Sequence, residues 1–312
     1  MKIEFKQSRQ LHQSHLGYLT LGTILFVLLA VYGITTGYKL DETSTLTACS
    51  FLILTIGISH GALDHEKGKK LFKIYKIKNI SIFYVTYLIL GILIAFIWFF
   101  FPEIILIIFL TVASYHFGKE DCIHPSIKNS LLFATKGSLI IWAPLLFHFD
   151  NTLAIFEILH FGVGLPTLSK ILIYLYEGNF ILFFLILSVL SNYFIFKTRL
   201  VKVLSLVEVF IVLVINFLYY PVVAFTFYFC FLHSIRHSIS LILKMKINSK
   251  IFFKKALPLT FITAVIFIVS AWVIMLNNYS LNGAILKVIF IGLASLTFPH
   301  ILLEYLLEKN GK

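Results

Sequence analysis

Apolar runs of about 20 residues, the length that crosses a hydrocarbon core as a helix, recur almost without pause along this chain. They fall near 17–37, 45–63, 80–101, 103–117, 129–148, 180–197, 201–219, 221–243, 258–276 and 284–306. A water-soluble fold has nowhere to bury so many apolar faces. In lipid, each backbone N–H and C=O must be paired inside its own helix or a closed barrel. The expectation is an all-α, polytopic integral membrane helical bundle of about ten transmembrane helices, forming a single transmembrane domain over residues 1–312. Composition agrees, because 59% hydrophobic and 13% charged residues lie outside the range of a soluble domain. Lys2, Lys6 and Arg9 precede the apolar stretch from Leu16 to Tyr38, which imitates a leader. It is too long and lacks a small-residue cleavage site, so it reads as the first span. The segment from Asp150 to Glu177, interrupted by Gly162, Gly164 and Pro166, is expected to be re-entrant, interfacial or an extra pair of short helices.

The net charge of +12 is distributed as topology, with no nucleic-acid partner implied. Lys67, Lys69, Lys70, Lys73, Lys76 and Lys78 follow the second span, Lys197, Arg199 and Lys202 the sixth, and Lys244, Lys246, Lys250, Lys254 and Lys255 the eighth. The alternate connections, around Asp41 and Glu42, Pro102 and Glu103, Tyr220, and Asn277 and Asn278, carry almost no positive charge. Positive charge stays on the cytoplasmic side, so both termini are expected there, in a multi-pass protein of the inner (plasma) membrane. Cys49, Cys122 and Cys230 lack CxxC spacing and are read as small apolar residues.

Within this apolar background the stretch FCFLHSIRHS, Phe229 to Ser238, places His233 and His237 four residues apart. On a helix both imidazoles project from one face, roughly 5–6 Å apart at Cβ. Ionisable groups inside a membrane need partners. The topology brings His60, His116 and His300 to the same cytoplasmic level, so five histidines from four helices converge there. Neutral imidazoles suit a divalent first-row metal such as Fe(2+) and leave positions open for oxygen or substrate. Asp64, Asp121, Glu208 and Glu304 are candidates to accept the second ring N–H of a liganding histidine. A carboxylate four residues on seldom folds back on its own histidine, so Asp64 and Glu304 are expected to serve neighbouring helices. His12, His15 and His124 lie in polar flanks and are expected to be solvated, His148 and His160 fall on the opposite side, and His65 is assigned to the surface.

Four ordered elements at these residues resemble the Brp/Blh family of bacterial and archaeal membrane β-carotene 15,15'-dioxygenases. They are GISHGALD from Gly57 to Asp64, HFGKED from His116 to Asp121, YFCFLHSIRH from Tyr228 to His237, and PHILLE from Pro299 to Glu304. The resemblance implies a non-haem iron(II) centre held by His60, His116, His233 and His237, with His300 at a family position near the site. It implies a carotenoid substrate, O₂ as co-substrate and two molecules of all-trans-retinal as product; an acceptor protein for the retinal is not indicated. Ser59 stands where the family usually has proline, and Ile235 where a basic residue is often found; neither removes a ligand.

Two other classes compete with this reading. A membrane di-iron desaturase or hydroxylase also sets histidine boxes at the cytoplasmic face, but needs about eight histidines and an HxxHH box, which does not occur in this sequence. A non-enzymatic metal transporter predicts ligands nearer the midplane and access from both sides.

Overall fold

The computed structural model describes residues 2–37, 41–122, 129–161 and 166–310, with the side chains of residues 2–14, His60 and Pro166 outside that description. The described residues are helical throughout, without a strand. In chain order the helices are α1 (Lys2–Thr36), α2 (Glu42–Ile74), α3 (Ser81–Phe100), α4 (Pro102–Glu120), α5 (Ser130–Phe147), α6 (Phe149–Ile158), α7 (Pro166–Glu177), α8 (Phe180–Phe194), α9 (Arg199–Leu218), α10 (Pro221–Met245), α11 (Ser249–Leu276) and α12 (Leu281–Asn310). Nine of them are long and apolar enough to span a membrane, and ten spans result if α7 and α8, bent by 79° at their junction, count as one. This is a multi-pass membrane bundle.

Local chemistry sets the helix ends. Asp41 accepts from the Ser44 N–H at 3.0 Å, Asn129 from Leu131 N–H at 2.8 Å, and Asn248 from Ile251 N–H at 2.8 Å, each capping a helix start. Pro102 and Pro221 open α4 and α10, where a missing N–H costs nothing. The hydropathic bounds fall short at several ends because amphipathic turns extend the helices beyond the apolar runs. Thus α1 begins at Lys2, α2 continues to Ile74 and α11 starts at Ser249. The irregular segment resolves into two short helices, α6 and α7.

Two helices leave α geometry where they carry histidines. In α2 a π turn (Ile53–Gly57) runs into a 3₁₀ stretch (Ile58–Leu63) that contains His60, and α10 has a π turn (Tyr228–Ser234) that contains His233. Such turns re-aim side chains and recur at functional sites. The irregularities face each other: Ser234 Oγ donates to Gly57 O at 3.0 Å. A Cβ on Gly57 would lie 2.5 Å from the Phe229 ring, so only glycine permits this approach. Similarly, a Cβ on Gly118 would meet the Phe133 carbonyl and one on Gly137 the Ser114 carbonyl, so α4 and α5 pack backbone to backbone.

Both ends of the chain reach the same level of the bundle. Near its start, His15 of α1 is buried and contacts the Leu232 carbonyl at 3.0 Å. Near its end, His300 of α12 meets Asp64 of α2. Free, buried Cys49 and Cys230 pack with apolar neighbours, as small apolar residues do.

Candidate metal centre and its apolar cleft

Four buried imidazoles from three helices close into a ring. His116 of α4 lies 5.4 Å from His233 of α10 and 5.2 Å from His300 of α12 between ring centroids. His237 of α10 completes it, 6.3 Å from His233 and 5.9 Å from His300. The i, i+4 pair thus shares one face despite the π turn, its rings stacked at 24°. His60 belongs to the 3₁₀ stretch of α2, and its side chain lies outside the described residues.

Three of the four rings are backed by a carboxylate at Nδ1. His233 Nδ1 is 3.1 Å from Asp121 Oδ1, His300 Nδ1 is 2.7 Å from Asp64 Oδ2, and His237 Nδ1 is 3.2 Å from Glu120 Oε2. A carboxylate at Nδ1 fixes the tautomer that keeps Nδ1–H and makes Nε2 the lone-pair nitrogen, the outer arrangement of histidine–metal sites. The chemistry of this donor set therefore fits a divalent metal. Donor atoms of His116, His300 and Glu304 lie within 4.8 Å of one another, as do those of Glu120, His237 and Glu304.

The outer layer is itself held. Asp64 also accepts from Tyr87 Oη at 2.9 Å, and Asp121 from Tyr228 Oη at 2.5 Å. Burial alone pushes the Asp121 carboxyl up, but His233 and the Arg236 guanidinium outweigh it and hold the group below the usual carboxylate range. Lys67 Nζ donates to Glu304 Oε1 at 2.6 Å and lies 3.5 Å from Asp64 Oδ1 and 3.4 Å from His237 Nε2.

Asp64 and Asp121 each meet a ring nitrogen of a histidine from another helix, and Glu304 stands beside three of the histidines. Glu304 is 3.7 to 3.9 Å from nitrogens of His300, His116 and His237, with its closest charge contact to Lys67. Glu208 differs from expectation: it pairs with Arg236, and the histidine nearest to it among the described residues is His15, 4.0 Å away. His15 is not solvated, because α1 packs against α10 and the Arg236 guanidinium lies 3.2 Å from its Nδ1. His65, assigned to the surface, is half-buried; its Nδ1 reaches the Ala62 carbonyl at 3.0 Å and it lines the cavity beside the imidazoles. His12 and His124 lie outside the described side chains. Sequence reasoning missed Glu120, Lys67, Arg236 and Tyr228. Glu120 and Lys67 carried a usable signal, one helical turn from His116 and Asp64 respectively.

An apolar cleft leads from this ring. A cavity of about 240 Å³ touches His116, His233 and His300, and a second of about 410 Å³ continues from it, the two sharing Tyr87, Leu88, Thr263, Ile266 and Leu296. Together they lie in the roughly 300–1,000 Å³ range of small-molecule sites. The cleft runs between α3 and α11 over a floor of α12, and its rims carry exposed Leu88, Ile92 and Ile266 on the outer face of the bundle. It therefore opens sideways toward lipid.

A family model described as "Beta-carotene 15,15'-dioxygenase" matches residues 51–308. The chain belongs to the β-carotene 15,15'-dioxygenase family. The matched region holds all four described imidazoles, their three carboxylate partners and the whole cleft. A β-carotene 15,15'-dioxygenase from an uncultured marine bacterium is 31% identical over 274 residues, covering 83% of this chain and 93% of that protein. No solved structure matches the chain.

The geometry of this family member leads to one expected result at once. Asp121→Asn keeps the size of the side chain but puts a neutral amide in place of the charged acceptor of the His233 Nδ1–H, so His233 is held less firmly. Under the metal-binding reading proposed below, metal affinity should fall about 10- to 100-fold, read as metal retained per chain after dialysis against a graded chelator; parental retention would contradict the role of Asp121.

Proposed function

We propose that this chain cleaves β-carotene, or a closely related carotenoid, at the central 15,15' double bond with O₂, giving two molecules of all-trans-retinal. The observation that carries the reading is the carboxylate-backed ring of imidazoles at the inner end of an apolar cleft open to lipid. A carotenoid partitions into the bilayer, and such a cleft admits it sideways without passage through water. Membership of a family described by this activity supports the same reading.

The proposed cofactor is a single non-haem iron(II), with His60, His116, His233 and His237 as ligands and His300 on the same ring of imidazoles. Iron(II) bound there would supply O₂ binding and activation beside the alkene. The chain's own residues do the rest. Asp121, Glu120 and Asp64 hold Nδ1–H of His233, His237 and His300, so that each ring presents Nε2. The cleft walls align the polyene and keep water from the reacting carbons. The carbon–carbon double bond and the O–O bond both break, each carbon takes one oxygen atom, and the alkene supplies the electrons. No external reductant is required.

The di-iron alternative requires a second cation near Glu120, His237 and Glu304. The Lys67 ammonium already stands against two of those three groups, which favours the mononuclear reading. On the same reading the protein belongs to the inner membrane with both termini cytoplasmic, as the distribution of Lys and Arg among its connections supports.

Expression in cells that accumulate β-carotene tests the activity: colour should be lost and retinal should appear. Persistent colour with folded, iron-loaded protein would refute the substrate assignment. A second variant tests the cleft. Ser295 lines its floor, so Ser295→Phe should lower cleavage roughly 10- to 200-fold, the range seen when a pocket loses its fit, with iron content unchanged. Parental turnover in that variant would separate the cleft from the reaction.

A further inference from the structure

At the end of the cleft remote from the imidazoles, four consecutive backbone carbonyls are each taken by a side chain from a distant part of the chain. Lys287 of α12 donates to the Ile158 and His160 carbonyls. Trp98 of α3 donates to Leu159 O at 3.2 Å, and the Tyr279 hydroxyl donates to Phe161 O at 3.2 Å. Lys287 and Trp98 are both buried. A charged amine inside a membrane bundle is costly unless fully engaged. This one caps the carbonyls left over at the C-terminal end of α6 and lies over two rings, 4.3 Å from the Phe161 centroid and 4.8 Å from that of Tyr279. Phe161 is further wedged by Phe99, 5.3 Å away, and by the edge of Tyr279. Both Phe161 and Lys287 line the cleft. The result is a far wall anchored to α3, α6 and α12 at once, in a groove whose other walls are mostly apolar side chains free to adjust.

The distance from this wall to the imidazoles is set by one helix. Lys287 and His300 are thirteen residues apart on α12, about 20 Å along its axis. Half of β-carotene, from its central double bond to the far edge of its ring, is on the order of 15 Å at ordinary bond lengths. The Phe161 ring and the contact radii at either end take up the remainder.

We propose that the Phe161–Lys287 wall is the ruler of the reaction: it stops the ring of the substrate and thereby decides which double bond meets the metal centre. This rests on the carotenoid-cleaving activity proposed above. Phe161 is the specificity-determining contact, and Lys287, Trp98 and Tyr279 are positioning residues that fix the backbone behind it. Deepening the cleft lets the ring slide further in, so cleavage moves off centre. The chemistry balances as before, with one oxygen atom to each carbon of the broken double bond, but the two aldehydes become unequal in length.

The test is product length, which does not depend on how much protein folds. The full-length chain and its Phe161→Ala, Phe161→Leu and Lys287→Met variants are expressed in β-carotene-accumulating cells, and the aldehydes are separated by chain length. Leu286→Ala, a buried change on α12 away from the cleft, controls for loosened packing. The parent and Leu286→Ala should give one aldehyde. The share of unequal pairs should rise at least ten-fold in Phe161→Ala, less in Phe161→Leu, and also rise in Lys287→Met. Unaltered central cleavage in both Phe161 variants overturns the ruler, as does an equal shift in Leu286→Ala. Absence of any aldehyde from the folded parent overturns instead the activity on which the ruler depends.

Discussion

His233→Ala is expected to abolish retinal formation, by roughly two orders of magnitude or more, and to lower iron content with it. The bound of 10- to 100-fold in metal affinity applies to outer partners such as Asp121, and loss of a ligand itself should exceed it. His233 is anchored on several sides. Its Nδ1 is held by Asp121 at 3.1 Å, Asp121 is held by Tyr228, and Phe117 and Phe229 pack against its faces. The π turn that aims His233 is itself held to Gly57 through Ser234. Iron per chain and retinal per chain, measured on purified parent and variant, check this directly. Full iron occupancy and parental turnover in the variant would remove His233 from the centre.

Arg236→Met should produce the largest loss of stability of any single change near the centre, about 3–5 kcal/mol, the cost of stripping one partner from a buried ion pair. Arg236 is buried and gives hydrogen bonds to the Asp121 carbonyl and the Glu208 carboxylate, with His15 3.2 Å away. It thereby ties α1, α4, α9 and α10 together behind His233. Replacing it leaves the mostly buried Glu208 carboxylate without its cation. The double variant Arg236→Met with Glu208→Met should recover part of the loss, because an apolar pair of similar volume often replaces a buried ion pair at little cost. Thermal unfolding in detergent measures both. A double variant less stable than the single one would mean that Arg236 acts through the Asp121 carbonyl, with Glu208 contributing little.

Much of this molecule is legible in its sequence because the bilayer imposes strong rules. Apolar length gives the spans, and the alternation of basic and neutral connections groups the histidines by depth. Depth brought His116, His233, His237 and His300 to one level before any packing was known, and the structure closes them into a ring. What the sequence hid was set by helix rotation and by departures from α geometry. Glu208 reads as one more intramembrane carboxylate, and only the packing of α9 against α10 turns it toward Arg236 and away from the ring. His15 sits among polar residues in the sequence, yet α1 extends far enough that this turn is buried against Leu232. Glu120 and Asp121 are adjacent, but the end of α4 sends them to different histidines, His237 and His233. The far wall of the cleft was invisible for a different reason: its donors, Trp98 and the Tyr279–Lys287 stretch, are far apart in the chain, and its acceptors are backbone carbonyls that leave no mark in the sequence.

Iron-dependent oxidative cleavage of a carotenoid taken from the membrane is the proposal on which the other expectations depend. The most direct measurement is turnover of β-carotene by purified, iron-loaded protein under ¹⁸O₂, with the aldehydes reduced as they form to prevent exchange with water. Two retinal-derived alcohols are expected per β-carotene consumed, each carrying one labelled oxygen, with no turnover after the iron is removed. Label in only one of the two products, or cleavage that persists without iron, would contradict the proposal.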